Sequence, residues 1–278
     1  MTPIEHAREI ALTVGTKILR ELADDQVPEI GIVLGTGWGN ALVFHDHKAK
    51  FFDEIGFPQR FLQPIEGHAR KVICGKIAGK RVIALSGRIH LNEHSTDPNI
   101  PEMVRLQIQM MLEMGVHKFI ITNAAGSLKA ECRVGDVVVA DGFVTLFAPA
   151  MPLFAGEFCS PEDKLSPRMR EIALEAKVHK DDKILLTHQG GYVMLRGSFF
   201  EGRRYDKAFL RLTGASSVGM STLPEMCVVA LYPKAEALCL SLITNTDSEE
   251  HSHESNQARA KQASPLLGAY LEQIIRQI

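Results

Sequence analysis

The sequence predicts an α/β fold, in which a mainly parallel or mixed β-sheet is covered by helices on both faces. Short apolar runs of strand length recur along the chain, and segments with helical periodicity fall between several of them. Strands that alternate with helices are typical of a sheet packed between two helical layers. No repeat, low-complexity tract or linker rich in Pro, Gly and Ser divides the 278 residues, so we expect one domain spanning residues 1–278.

The predicted elements follow one another in a regular order. Residues 3–24 carry apolar side chains at a helical spacing, which predicts an amphipathic helix. The apolar run at 30–34 ends in Gly35-Thr36-Gly37, which predicts a buried strand and a tight loop. Further strands are predicted at 71–74, 82–85, 119–122, 137–140, 193–195 and 237–243. Further helices are predicted at 101–114, 165–176, 203–213, 223–231 and 255–276.

Composition excludes several classes of protein. The 31 Lys and Arg residues nearly balance the 33 Asp and Glu residues, and no basic block provides the electrostatic footprint of a nucleic-acid-binding protein. No apolar run reaches the roughly 18 residues that a membrane span needs, and the N-terminal residues do not resemble a signal peptide. The five cysteines are scattered and form no C-x-x-C pair, which indicates reduced thiols. We therefore expect a cytoplasmic protein with neither a nucleic acid nor a membrane as its partner.

The segment from Val218 to Glu225 reads as a strand that runs directly into a helix. Thr222 and Glu225 have the T-x-x-E spacing of a capping box, with a proline between them in the first turn. In this interpretation Met220 and Ser221 lie in the turn, beside a helix N-terminus that can bind an anion.

Small or polar residues follow five of the predicted strands. Ligands of open α/β sheets bind beyond the carboxyl ends of the strands, so these residues should lie near one another. Arginine, hydroxyl and amide groups together suit an oxyanion such as phosphate. The segments are Gly35-Thr36-Gly37, Ser86-Gly87-Arg88-Ile89-His90, Asn123-Ala124-Ala125-Gly126, Met220-Ser221-Thr222 and Thr244-Asn245.

Two motifs in the sequence resemble cofactor or metal sites but do not fit them. The third glycine of Gly35-x-Gly37-x-Gly39 comes one position too early for a dinucleotide fingerprint, and no acidic residue at the expected distance completes it. His90-x-x-Glu93-His94 has the spacing of an inverted zinc-protease motif, which requires a helix, yet it follows a β-run directly. We therefore predict no metal and no organic cofactor.

Taken in order, these segments resemble the purine nucleoside phosphorylase family, specifically its trimeric branch. The resemblance implies a single-domain, phosphorylase/hydrolase-like three-layer fold with a central mixed sheet flanked by helices. It also implies phosphorolysis in purine salvage by a homotrimer, in which inorganic phosphate is a co-substrate. The matching segments are 34–40, 67–70, 87–93, 122–128, 134–136, 218–225 and 241–245.

The resemblance also assigns roles to residues of this sequence. Phosphate would be bound by Thr36, His68, Arg88, His90, the amide of Ala124 and Ser221. The purine would be bound by Glu201 and Asn245, with Asp247 as an acceptor for a 6-amino group if it faces the base. The ribose would contact Asn92, Met220, His253 and the Phe158 that a neighbouring subunit provides. The expected catalytic residues are His90, Asn245 and Glu201.

Several departures from the family pattern keep other functions open. Asn92 stands where these enzymes usually have a tyrosine, and the stretch 196–202 lacks the usual proline and Glu-Thr pair. Asp247 resembles the acidic residue of methylthioadenosine phosphorylases. The first alternative is therefore a phosphorylase for methylthioadenosine or other 6-aminopurine nucleosides. Alternatives of other classes are a nucleoside hydrolase, which would not need Arg88, and a non-catalytic purine-binding protein.

Overall fold

The computed structural model describes most of the chain, apart from several loops. The side chains of residues 253 and 254 are not described. The described ranges are 2–39, 41–58, 69–92, 99–147, 157–180, 183–195, 201–202, 204–246 and 253–278.

Helices and strands alternate through much of this chain, as predicted. The helices are α1 (Pro3–Leu22), α2 (Phe52–Ile55), α3 (Ile100–Glu113), α4 (Pro167–Glu175), α5 (Asp206–Arg211), α6 (Leu223–Ala230) and α7 (His253–Gln277), with a 3₁₀ turn at Glu162–Lys164. The strands are β1 (Ile30–Leu34), β2 (His45–Phe51), β3 (Lys71–Ile77), β4 (Lys80–Ser86), β5 (Lys118–Ser127), β6 (Val137–Val144), β7 (His179–Lys180), β8 (Lys183–Ile184), β9 (Thr187–Met194), β10 (Ser217–Gly219) and β11 (Glu236–Asn245). None of the helices in the described part of the chain has the length and apolar character needed to cross a membrane.

The main sheet is mixed and has nine strands in the order β10-β9-β6-β11-β5-β1-β4-β3-β2. Strands β4, β1, β5 and β11 are parallel neighbours, whereas β6 pairs with β11 in the antiparallel direction. Strand β10 pairs with both β9 and β5. The strands β5, β11, β6, β9 and β10 therefore close into a ring, and β1, β4, β3 and β2 extend from it.

Apolar side chains form a core on each face of this sheet. Along β1, Val33 belongs to one core, whereas its neighbours Ile32 and Leu34 belong to the other, because successive side chains of a strand point to opposite faces. Helices α1, α3 and α6 pack on the Val33 side, and helices α4 and α7 pack on the opposite side. The predicted mixed α/β class with helices on both faces is confirmed.

Strand β2 was not predicted from the sequence, because its residues are polar and exposed, a composition common in edge strands. It pairs with β3 at the edge of the sheet. The strands β5 and β11 are longer than predicted, since backbone pairing continues beyond their apolar runs. The prediction that Asn123–Gly126 follows a strand is wrong for the same reason, because these residues lie within β5.

Helix α7 packs closely against the loop that follows β1. Gly37 has a φ of +86°, and a β-carbon there would lie 2.6 Å from the β-carbon of Ala260. A β-carbon at Gly268 would lie 1.9 Å from the carbonyl oxygen of Ala41. Glycine at these two positions therefore allows α7 to support the loop that carries Thr36.

We predict that Gly268→Ala destabilises the protein, although alanine is normally favoured over glycine inside a helix. The new methyl group would collide with a backbone carbonyl that cannot rotate away, so the free energy of unfolding should fall by roughly 1–3 kcal/mol. Thermal and urea unfolding would measure the change, with the exposed Gln262→Ala in the same helix as the control. Equal or higher stability of Gly268→Ala would contradict the close packing of α7.

Candidate active site

The candidate site lies along one edge of β5, in a gap between two of its partners. Strand β11 occupies the other edge of β5. The edge of β5 that contains the gap pairs with two strands. Its pairing with β1 ends where Val33 lies opposite Ile121, and its pairing with β10 begins where Val218 lies opposite Gly126. Residues 122–125 lie between these two pairings. Loops that follow β1, β4 and β10 approach this stretch, so the site forms beside β5 rather than only beyond its end.

Arg88 occupies the gap next to the end of β1. Its side chain is 1% exposed, and its two terminal nitrogens donate to the Glu225 carboxylate, at 2.7 Å, and to the carbonyl oxygen of Thr122. A β-carbon at Gly35 would lie 2.7 Å from Arg88 Nη2. Glycine at this position therefore lets the backbone that leads to Thr36 pass directly beside the guanidinium group.

Glu225 is the buried counter-ion of Arg88 and does not form a capping box with Thr222. Thr222 makes no side-chain hydrogen bond to the start of α6, whereas Thr2 and Glu5 form a complete capping box on α1. The capping prediction for Glu225 is wrong, because a buried arginine needs a nearby negative charge. Removing one partner of such a pair costs about 3–5 kcal/mol.

The turn between β10 and α6 runs back along β5, because β10 is antiparallel to it. Asn123 Nδ2 donates to Thr222 Oγ1 at 2.7 Å. Thr222 has a φ of +73°, which is unfavourable for a β-branched residue and persists only where its surroundings enforce it. The turn is therefore fixed in position opposite the centre of β5.

Tyr192 holds the backbone of Ser221 on the other side of the same turn. Its buried hydroxyl donates to the Ser221 carbonyl oxygen at 2.9 Å and accepts from the Ser221 N–H at 3.2 Å. Burial raises the pKa of Tyr192, so this hydroxyl keeps its proton at neutral pH. Ser221 is 8% exposed, and its position is set by main-chain contacts.

Glu201 and Asn245 meet at Gly126, where β5 pairs with both β10 and β11. Asn245 in β11 lies opposite Gly126 in β5. A β-carbon at Gly126 would lie 2.9 Å from Asn245 Nδ2 and 3.1 Å from Glu201 Oε1. A carboxylate and an amide therefore converge at this point, and Glu201 lies 3.5 Å from the ammonium group of Lys207.

The structure describes the other predicted site residues to different extents. Thr36, His90, Asn92, Ala124 and Met220 are half-buried, and Phe158 is 99% exposed. His253 begins α7, but its side chain is not described, and His68 and Asp247 lie outside the described residues. In the described part of the chain, no cluster of three or more His, Cys, Asp or Glu side chains could hold a metal ion.

Sequence reasoning missed four contributors to this site. Thr122 binds the Gly35 N–H at 3.0 Å through Oγ1, Tyr192 and Glu225 act as described above, and Lys207 pairs with Glu201. No local signal identifies Thr122, Tyr192 or Glu225, since each acts on a residue distant in the chain. Lys207 lies close to Glu201 in the sequence, but no motif marks the pair.

Comparisons with known proteins relate the whole fold to one family. Residues 29–276 match the model of the phosphorylase superfamily. The chain is 31% identical to purine nucleoside phosphorylase 1 of Bacillus subtilis, covering 78% of this chain and 79% of the relative. It is also 31% identical to the purine nucleoside phosphorylase of Mycobacterium tuberculosis, covering 89% and 88%.

Solved structures give the same assignment. The purine nucleoside phosphorylase of Schistosoma mansoni in complex with adenosine has a TM-score of 0.79 and 27% identity, with 97% of each chain covered. A Schistosoma purine nucleoside phosphorylase in complex with guanosine has a TM-score of 0.79 and 26% identity, again covering 97% of each chain. The chain therefore belongs to the phosphorylase superfamily and, within it, to the purine nucleoside phosphorylases.

Proposed function

We propose that this pentosyltransferase uses inorganic phosphate to cleave inosine- and guanosine-type nucleosides and their deoxy forms. The products are the free purine and (deoxy)ribose 1-phosphate. The observation that carries the proposal is the arrangement along β5. A buried arginine lies beside residue 122, a carboxylate and an amide meet at residue 126, and the Met220-Ser221 turn approaches between them.

The phosphate would lie between the loop after β1 and the turn before α6. Arg88, held between Glu225 and Thr122, provides a fixed cation beside that loop. The Thr36 and Ser221 hydroxyls and the Ala124 amide would donate to the anion, with His90 and His68 as further ligands. A guanidinium fixed in advance binds an oxyanion without the cost of ordering a flexible side chain.

The reaction would need no covalent intermediate with the protein. A phosphate oxygen bonds to C1′ as the C1′–N9 bond breaks, and the electron pair leaves with the purine. The purine then takes up the proton that hydrogen phosphate brought. Positive charge develops on the ribosyl ring and negative charge on the purine, so a fixed phosphate on one side and a donor on the other lower the barrier. This chemistry requires neither a metal nor an organic cofactor.

The purine would lie near Gly126. The Asn245 amide would donate to the imidazole side of the base and stabilise its developing negative charge. The Glu201 carboxylate would accept hydrogen bonds from ring and exocyclic N–H groups, which hypoxanthine and guanine provide. Met220, Asn92 and His253 would contact the ribose, and Asp247 would act on a 6-amino group only if it faces the base.

The assembly we propose is a homotrimer of one-domain subunits spanning residues 1–278. The match to the superfamily model over residues 29–276 and the continuous nine-stranded sheet support the single domain. The exposed aromatic ring of Phe158 supports a subunit contact, since large exposed apolar groups commonly mark interfaces. Five unpaired cysteines suit the reducing cytoplasm, where purine salvage would take place.

Turnover should depend on phosphate. We expect purified protein to release hypoxanthine from inosine and guanine from guanosine only when phosphate is present, with slower release from adenosine and methylthioadenosine. Base release can be followed by chromatography with and without phosphate. Equal turnover without phosphate would indicate a hydrolase, faster turnover of methylthioadenosine would favour the aminopurine alternative, and purine binding without turnover would indicate a binding protein.

Arg88 should act on phosphate affinity more than on purine affinity. Arg88→Met would leave Glu225 buried and unpaired, so we combine it with Glu225→Gln to separate binding from stability. In the double variant, the KM for phosphate should rise by at least roughly tenfold, because a charge-assisted contact worth about 1.5–3 kcal/mol is lost. The Kd for hypoxanthine should stay within about threefold. Glu225→Gln alone keeps Arg88 and is the control, and equal losses for both ligands would make Arg88 structural.

Phe158 should complete the site of a neighbouring subunit. We expect Phe158→Ala to keep the trimer mass by light scattering but to lower kcat/KM for inosine. Co-expression with the Arg88→Met, Glu225→Gln variant should restore activity at a phosphate concentration too low to support that variant, since mixed trimers contain sites with both an intact Arg88 and a Phe158 from the next subunit. A monomeric wild type, or no gain in the mixture, would refute this assembly.

A further inference from the structure

Lys207 is a buried lysine beside the candidate purine site. It lies in the first turn of α5 with 0% of its surface exposed, and its Nζ is 3.5 Å from Glu201 Oε1. Burying an ammonium group is costly unless a negative charge is close to it. A lysine held entirely inside the protein next to Glu201 therefore helps to fix the position of that carboxylate.

The backbone after Glu201 is attached to the same turn of α5. The Gly202 N–H donates to the Asp206 carboxylate at 2.8 Å, and the Lys207 N–H donates to the Gly202 carbonyl oxygen at 3.0 Å. These two bonds fix the position of residue 202, and the Lys207 side chain contacts the Glu201 carboxylate from the same helix. Helix α5 therefore determines where Glu201 meets Gly126 and Asn245.

The orientation of the Glu201 carboxylate decides which purines it can bind. A carboxylate oxygen accepts hydrogen bonds and donates none. A 6-oxopurine carries an N1–H donor, and a 6-aminopurine carries a lone pair at N1. A carboxylate oxygen fixed beside the base therefore matches the N1–H of the 6-oxopurine, and it leaves the N1 lone pair of a 6-aminopurine facing an acceptor.

We propose that Lys207 is a positioning residue that holds the Glu201 carboxylate in the orientation in which it accepts a hydrogen bond from the base, and that it thereby sets the preference for purines with an N1–H group. The proposal rests on the proposed function, because it takes Glu201 as the residue that recognises the purine base through hydrogen bonds. It concerns a residue that acts through Glu201 and does not itself touch the substrate.

Variants of Lys207 test this role by the ratio of kcat/KM for inosine to kcat/KM for adenosine. Lys207→Met should lower the ratio by roughly 10- to 100-fold, the value of a hydrogen bond to a charged group. Lys207→Arg keeps the cation and should restore the ratio to within about threefold of wild type. Lys118→Met, at the opposite end of β5, is the matched control and should leave the ratio unchanged. If Lys207→Met does not fold, Lys207→Gln provides the same comparison.

A double-mutant cycle separates action through Glu201 from a general loss of structure. In a Glu201→Gln background, Lys207→Met should change the ratio by less than about threefold, because the carboxylate on which it acts is absent. An unchanged ratio in the single variant, or an equal effect in both backgrounds, would overturn the proposal.

Binding measurements distinguish failure of this proposal from failure of the proposed function. If the wild type turns over no purine nucleoside, the function is wrong, and calorimetry with hypoxanthine and adenine still tests Lys207. The preference for hypoxanthine should then be lost in Lys207→Met and kept in Lys118→Met. Loss of preference in both variants, or in neither, would refute the role of Lys207.

Discussion

The buried ion pair between Arg88 and Glu225 is the contact on which the arrangement of the site depends. The two residues are 137 positions apart in the sequence and only 1% and 2% exposed. Separating them would leave two charges in the protein interior, at a cost of several kcal/mol. The end of β4 and the first turn of α6 are therefore held together, and the loop after β1 can approach only because residue 35 is glycine.

The turn before α6 is strained, and its neighbours compensate for that strain. A β-branched residue with a φ of +73° is unfavourable by about 1–3 kcal/mol. Asn123 binds the side chain of Thr222, Tyr192 binds the backbone of Ser221, and Glu225 anchors the helix that follows. A turn held from three sides keeps the backbone of Ser221 in one place, which favours binding of an anion without reorganisation of the main chain.

The sequence predicted those parts of this structure that depend on local patterns. Apolar periodicity located the strands β1 and β4 and the helices α1, α3 and α7, because burial imposes that periodicity directly. It missed the polar edge strand β2 and the extension of β5, since backbone pairing leaves no apolar signal there. The T-x-x-E spacing at Thr222 was misleading for a related reason: it specifies a possible local bond but not the distant arginine that competes for the carboxylate. Lys207 was missed because a lysine in a helix is usually exposed.

In the described part of the chain, two buried ion pairs beside β5 have opposite orientations, and this difference matches the charges of the proposed reaction. At residue 122 the cation, Arg88, lies beside the loop that would bind phosphate, and its anion, Glu225, comes from α6. At residue 126 the anion, Glu201, meets Asn245, and its cation, Lys207, comes from α5. Each pair is neutral as a unit, which reduces the cost of burial. In the proposed reaction each pair would present one sign of charge to its ligand, positive towards an oxyanion and negative towards N–H donors, so a single strand would hold both reactants in complementary fields.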